Sequence, residues 1–417
     1  MTITHQQDTV NEAFFKPVAG LVAKSLYTRP CREFSDDNYI HLGIHRVLEA
    51  SPSGRGFLEE HGLGWTDSLT RSNYFATLHS RRRVELLSDI NDSVRRRANQ
   101  TLPDRLAAIT ELADYDCFAA DGHWHKAATH DPRHDGVKMP VGHFYSLNLR
   151  THLVRHLVAG EGLHEHDMSA LKRVKPTGLR QGVPRGRRVI IIYDKAGIDF
   201  KYWKRCRQES AVYFLSRVKE NMTLCWEESI DFDKNDPRNG GLFADSRAKS
   251  REGHLLRVIC YIDPITGEAF EFLTNEMDLP AHVLIELYRL RWSVEKVFDE
   301  FKNKLGEKKA WGSSLTAKET QAQFITLTHN LVLLYDHELE ERHNVEKLAE
   351  DKRRRQRQDQ CAEETAKVGH PAPTLVLRAQ RATQCCVKFI RWIRKSLRYQ
   401  AAEAAAVLQL KALYATL

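Results

Sequence analysis

The run Val189-Ile190-Ile191-Ile192-Tyr193 constrains this chain more than any other stretch. Apolar and aromatic residues in succession, with no polar alternation, make a strand that is buried on both faces. Such a strand belongs in the middle of its sheet. It ends on an acid, Asp194. An earlier run, Asp114-Tyr115-Asp116-Cys117-Phe118-Ala119-Ala120, also ends on an acid, Asp121, followed by Gly122. If the two strands are parallel neighbours, their terminal acids lie side by side.

Around these strands the chain divides by pattern. Residues 1–110 read as helical, with apolar residues three and four apart in Val10, Phe14, Phe15, Val18, Leu21 and Val22. The segment from Asp67 to Leu78 has a capping residue and then a helical pattern. Arg71, Arg81, Arg82 and Arg83 lie in or after it, and helices rich in Arg, Ser, Thr and Asn suit phosphate contacts. They are candidates for DNA binding against the plainer reading of a solvated basic face. Residues 142–150 and 153–158 read as antiparallel neighbours of the first strand. Glu165 and Asp167 read as helix caps. A helix at 200–208 and a strand at 211–219 follow Asp194. Residues 220–279 are polar and turn-rich, with a hairpin in 254–274. A second apolar helix is expected over 322–338. Residues 344–370 are highly charged, and helices return over 378–417. The expected division is 1–110, 111–219, 220–279, 280–340 and 341–417.

Pro280 opens a helix carrying Tyr288, Arg291, Glu295 and Lys302. At roughly 100° per residue, with Tyr288 at zero, the other three fall at about 300°, 340° and 320°. They form one polar stripe beside an apolar stripe of Leu287, Leu290, Val294, Phe298, Phe301 and Leu305. Ion pairs such as Arg291–Glu295 explain part of that order without any chemistry.

Charge and composition set the partners. Lys and Arg number 63 against 55 Asp and Glu, a formal net charge of +8, which is compatible with a polyanion. The 8 cysteines include no C-x-x-C pair and read as reduced thiols. The first fifteen residues lack the basic and apolar regions of a secretory signal, and no apolar run reaches membrane-spanning length. A cytoplasmic protein is the expectation.

Tyr, two residues, Arg, three residues, Glu, six residues, Lys resembles the signature of the IS4-type DDE transposases, and Trp292 after the Arg also fits. "DGHW" at Asp121, "VIIIYD" ending in Asp194, "FLSRVK" at Phe214 to Lys219 and "FLTN" at Phe272 to Asn275 look like blocks of the same family. The resemblance covers roughly residues 65 to 340. It implies an α/β, RNase H-like catalytic core, with a β-rich insertion before the Glu and helical regions at both ends. It implies that Asp121, Asp194 and Glu295 bind Mg²⁺ or Mn²⁺, as two ions in a phosphoryl-transfer site. It implies that Tyr288, Arg291 and Lys302, with Trp292 beside them, support DNA ends. It implies bacterial cut-and-paste movement: cleavage at transposon ends, often through a hairpin, and joining to target DNA. The partners are then double-stranded DNA and a second copy of the chain on paired ends. A nuclease without strand transfer and a silent DNA-binding relative are the competing readings.

Several alternatives stay open. Asp114 and Asp116 compete with Asp121, but they sit at the start of the strand. Asp299, at about 20° on the helix, competes with Glu295. His123, His125, His130 and His134 crowd around Asp121, without the spacing of a helical zinc motif. A place for His123 or His125 near substrate phosphate is one reading of them. Trp203, Trp226 and Trp292 are candidates for stacking on a displaced base, against packing roles for each.

Overall fold

The structure, a computed structural model, describes residues 8–31, 34–50, 53–61, 70–128, 133–134, 137–138, 141–161, 165–264, 266–345 and 387–415. The chain opens with α1 (Val10–Phe15), α2 (Leu21–Lys24), α3 (Asp36–Glu49), α4 (Gly54–His61), α5 (Arg71–Thr77) and α6 (Arg81–Thr101). Side-chain oxygens of Thr9, Ser35, Thr70 and Ser80 accept from the backbone N–H three residues on. Each cap satisfies a donor that a first helical turn leaves open. Thr70 is thus the capping residue within the 67–78 segment.

The strands and helices that follow are β1 (Tyr115–His125), β2 (Arg133–His134), β3 (Val137–Lys138), β4 (Val141–Asn148), β5 (Val154–Ala159), α7 (Asp167–Arg173), α8 (Pro176–Leu179), β6 (Arg188–Ile192), α9 (Phe200–Ser210) and β7 (Val212–Arg217). Then come β8 (Leu224–Ser229), β9 (Leu242–Ser250), β10 (Leu255–Ile262), β11 (Ala269–Thr274), α10 (Ala281–Leu290), α11 (Trp292–Asn303), α12 (Leu315–His343), α13 (Val387–Arg398) and α14 (Glu403–Ala415). The charged segment 344–370 lies almost wholly outside the described residues.

One mixed sheet of nine strands organises the molecule, in the order β5-β4-β1-β6-β7-β11-β10-β9-β8. β6 is flanked by β1 and β7, both parallel to it. Val189 to Ile192 are fully buried, as a run without alternation requires. Ile190 and Ile192 pack into the main core, with α12 and the N-terminal helices. Val189, Ile191 and Tyr193 pack into a second core with Trp203 and Phe214, whose rings stack at 5.1 Å. Helices therefore cover both faces.

The polar stretch before Pro280 holds more regular structure than its composition suggests. The hairpin is β10–β11, closed by the Gly267 N–H donating to Asp263 O at 2.8 Å. β8 and β9 carry no strong apolar signal, because β8 is a mostly exposed edge strand. All four strands prolong the same sheet through the β11–β7 pairing. The buried Arg257 bonds Asp245 through Nε and Nη2 at 2.8 and 2.6 Å and also donates to Leu279 O, tying these strands to the start of α10. Nor does the core break near 110 or 340: a single cluster runs from Val10 through Ile192 and Phe301 to Leu410.

Helix α3 meets the long α12 at a glycine. A Cβ on Gly43 would lie 2.1 Å from the Phe324 ring. Gly43→Ala is expected to destabilise by about 1–3 kcal/mol, the usual cost of overpacking. Phe324→Leu in the same chain should recover part of that loss, measured as a double-mutant cycle by denaturant unfolding.

Candidate active site

The parallel register of β1 and β6 aligns Ala119 with Ile192. Asp121 and Asp194 each lie two residues further on, so they reach the same level and the same face of the sheet. That face packs against α11, which carries Glu295. β1 does not end at Asp121. It continues to His125 as the antiparallel partner of β4, so Asp121 stands where the parallel pairing stops rather than at the strand terminus. The Gly122 N–H donates to Asp121 Oδ1 at 2.8 Å, and Ala196 N–H to Asp194 Oδ1 at 2.8 Å. Ser216 Oγ on β7 donates to the Asp194 carbonyl. Both acids are thus held by their own backbones.

The expected single helix is two. α10 ends and α11 begins at Arg291, whose N–H bonds Tyr288 O three residues back and whose carbonyl accepts from Val294 N–H three residues on. This tighter turn rotates α11 relative to α10. It brings the buried Arg291 between two acids: Nη1 donates to Asp121 Oδ2 at 3.0 Å and Nη2 to Glu295 Oε1 at 3.1 Å. Its guanidinium also lies 5.7 and 5.4 Å from the ring centres of Tyr288 and Trp292. Tyr288 is buried against Phe272. Lys302 and Trp292 face outward, Trp292 at 54% exposure. Asp299 is exposed and accepts a hydrogen bond from Asn303, one turn from Glu295.

Electrostatics mark Asp121 as the strained member. Burial raises its carboxyl, and the charges of Asp194 and Glu295 add to that. Arg291 and the Gly122 N–H oppose them, and the net is a rise to about 6. Asp167, at the start of α7, joins the same field. Burial and the Asp194 charge raise its carboxyl, which sits over Gly122, where a Cβ would come within 3.7 Å of Asp167 Oδ1. His166, not Asp167, caps α7, and Glu165 instead accepts from Glu161 N–H and pairs with Arg173. No spacing rule links Asp167 to the other acids; the packing of α7 against β5 and the Lys195–Gly197 turn that follows Asp194 does.

The Asp121 shift has a consequence for stability. Its folded value of about 6 exceeds the ordinary 3.8, so the neutral carboxyl is the form the fold favours. That stability is fully present below pH 4 and is lost as pH rises through 6. Asp121→Asn, metal-free at pH 8, should therefore melt a few degrees higher than the parent, on the order of 1–2 kcal/mol after the lost Arg291 contact is discounted. The gain should vanish in melts at pH 4.

Other expected site residues fall elsewhere. Asp116 pairs with Arg187 at 2.6 Å, at the opposite end of β1. Arg71 is exposed, and the exposed Arg81 pairs with Glu319 and Glu85. Arg82 and Arg83 are both tied to Asp36. Arg82 donates both Nη groups to Asp36 at 2.7 and 2.9 Å. Arg83 is 5% exposed, bonds Asp36 and Phe34 O, and stacks over Tyr39. These two guanidiniums hold the N-terminal helices together. Trp203 is core, whereas Trp226 on β8 is 59% exposed. His123 and His125 are buried, His130 lies outside the described residues, and no side-chain placement is described for His134. Cys31, Cys117, Cys206, Cys225 and Cys260 are free thiols. No helix among the described residues is long and apolar enough to cross a membrane.

Two acids at the parallel centre of a mixed α/β sheet thus face a helix-borne Glu, with the Arg291 guanidinium joining Asp121 to Glu295. The family model for the transposase DDE domain matches residues 113–331, from the start of β1 into α12, and the chain belongs to that family. A search of curated proteins gives no match. Among solved structures, a piggyBac transposase in a synaptic complex with hairpin DNA is similar over 96% of this chain and 81% of that chain. The identity is 11% and the TM-score 0.36, too loose a likeness to define the fold.

Proposed function

We propose that this chain is an IS4-type DDE transposase that cleaves the ends of its own element and joins them to target DNA by cut and paste. The observation that supports it most is the meeting of Asp121, Asp194 and Glu295 on one face, with Arg291 of the Tyr-Arg-Glu-Lys signature between two of them. The order β5-β4-β1-β6-β7, three antiparallel strands followed by two parallel ones, is read as an RNase H-like core. β8 to β11 take the place of the insertion before the Glu. The five divisions expected from the sequence are kept as functional regions that share one core.

The three carboxylates suit hard divalent cations, and the rise of the Asp121 carboxyl, from burial first and from the Asp194 and Glu295 charges next, is a cost that a bound cation would offset. Two Mg²⁺ or Mn²⁺ ions bound there supply activation of the attacking oxygen and stabilisation of the leaving one. The chain's own part is placement. Asp121, Asp194 and Glu295 hold the cation site. Arg291, whose two Nη groups meet Asp121 and Glu295, would offer those donors to a scissile phosphate. Tyr288 braces that guanidinium. Lys302 and the exposed Trp292 extend the contact along the DNA end, and Arg71 and Arg81 add phosphate contacts from the N-terminal helices. A second chain on the paired end completes the complex in the bacterial cytoplasm.

The test is to incubate the protein with Mg²⁺ and a DNA carrying the inverted repeats that flank its gene, beside a target plasmid. Cleavage at the repeat ends followed by joining is expected. Cleavage without joining would make the protein a nuclease, and binding without cleavage a silent relative.

A further inference from the structure

Beyond Asp121, β1 carries His123 and His125 on the same face as the acid, and neither belongs to the site just described. Their neighbours come from two other elements. His143 and Tyr145 lie on β4, across from His123 and Asp121 in register. Glu307 arrives from the turn after α11. Gly306 makes that turn with φ +73°, and a Cβ there would meet Ala50 Cα at 2.7 Å. The Glu307 N–H then bonds Phe301 O, and the next residues clamp onto the end of β1 through Lys126 N–H to Lys308 O and Ala310 N–H to Lys126 O. A carboxylate is thereby driven into the core: Glu307 and His143 are 0% exposed, His123 2% and His125 5%.

The hydrogen bonds in this cluster leave a specific set of atoms open. His125 Nδ1 sits 3.2 Å from the Lys126 carbonyl, which accepts only if Nδ1 carries the proton. His143 Nδ1 faces His156 Nε2 at 3.2 Å, so donation there leaves the other His143 nitrogen unprotonated. Tyr145 OH donates to Glu307 Oε1 at 2.7 Å. His125 Nε2, His143 Nε2 and Glu307 Oε2 remain, each buried and without a hydrogen-bond partner among the described residues. Ligand atoms of these three residues lie within 4.8 Å of one another. His123 Nε2 stands 3.1 Å from Glu307 Oε2, close enough that its ring helps hold the Glu307 carboxyl below the ordinary range against the effect of burial. Each such buried polar atom left unmet costs roughly 1–3 kcal/mol.

We infer that His125, His143 and Glu307 form a second metal site, separate from the three acids, that takes a borderline divalent transition ion, zinc above all. Two imidazoles and one carboxylate are ligands that suit zinc and do not suit Mg²⁺. A fourth ligand would come from His123 or from water. The outer partners are those that metal-bound histidines use: a backbone carbonyl behind His125, a second ring behind His143, a phenol behind the carboxylate. Burial lowers the basicity of His125 and His143, which keeps the rings neutral and their lone pairs available, with His156 falling to about 4. Ligand atoms in a tetrahedral zinc site sit about 3.3 Å apart, so the side chains close inward by well under a side-chain diameter on binding. The ion would tie β1, β4 and the segment after α11 together. It would thus fix α11, and Glu295 on it, against the strand that bears Asp121. The inference does not depend on the proposed transposase activity.

Metal analysis of the full-length protein, purified without a metal-affinity tag and dialysed against a weak chelator, is the test. About one zinc per chain is expected, retained in Asp194→Asn and lost in both Glu307→Gln and His143→Gln. Replacing the zinc by Co²⁺ should give visible absorption bands of a four- or five-coordinate ion, and stripping it should lower the melting temperature. The Co²⁺ spectrum of the parent protein decides the matter even if the variants fail to fold. Protein that purifies without zinc and shows no Co²⁺ bands overturns the inference. So does zinc that disappears in Asp194→Asn and persists in Glu307→Gln.

Discussion

Glu295→Gln is expected to abolish DNA cleavage, by roughly three orders of magnitude, while leaving folding and DNA binding intact. The amide keeps an oxygen for Arg291 Nη2, so the local contact survives. What it loses is the negative charge that would complete the proposed cation site with Asp121 and Asp194. Asp299→Asn is the matched control. Asp299 is exposed and accepts a hydrogen bond from Asn303. Its variant should cleave within a few-fold of the parent. The comparison is read from strand cleavage on a labelled repeat end with Mg²⁺ in excess. An active Glu295→Gln beside a dead Asp299→Asn would transfer the assignment to Asp299 and undo the site.

The second large effect is on stability. Asp36 lies in the first turn of α3 with its side chain 1% exposed. Burial alone would raise its carboxyl. The Arg82 hydrogen bond, the Arg29 N–H and the charges of Arg82 and Arg83 outweigh that and hold it below the ordinary range. Asp36→Ala strands the Arg83 guanidinium, buried and without its counter-charge. The expected cost is about 3–5 kcal/mol, the usual penalty for breaking a buried pair from one side. Denaturant unfolding measures it. Asp36→Leu with Arg83→Met should restore most of the loss, because an apolar pair needs no counter-charge. If Asp36→Ala unfolds like the parent but loses DNA affinity, these arginines serve DNA after all.

That contrast shows where reading from sequence stopped. Arg81-Arg82-Arg83 is a basic run, and basic runs usually face solvent or phosphate. Nothing within it reveals that α3 presents Asp36 to two of its members. The break at Arg291 was equally hidden. Tyr288 to Lys302 has an unbroken helical pattern, and every residue across the break keeps helical dihedrals. Only the change to three-residue hydrogen bonding turns Arg291 onto Asp121. β8 escaped because an exposed edge strand needs no apolar run, and β9 because its buried positions are filled partly by Ala, Asp and Ser.

By itself the sequence determined that β6 is central, that Asp121 and Asp194 follow two apolar strands, and that Glu295 rides a helix with Arg291 one turn before it. Those are local facts: burial on both faces needs an unbroken apolar run, and a helix repeats every 3.6 residues. The tertiary structure decided what meets what. The parallel register of β1 and β6 levels the two aspartates. The packing of α11 on β1 brings in Glu295, and α7 adds Asp167. β4 and the turn after α11 carry His143 and Glu307 to the histidines of β1. These contacts join residues far apart in the chain, from His125 and His143 to Glu307 and from Asp121 to Arg291, 170 positions apart. Strand register and helix packing set them, and neither leaves a mark in the spacing of neighbouring residues.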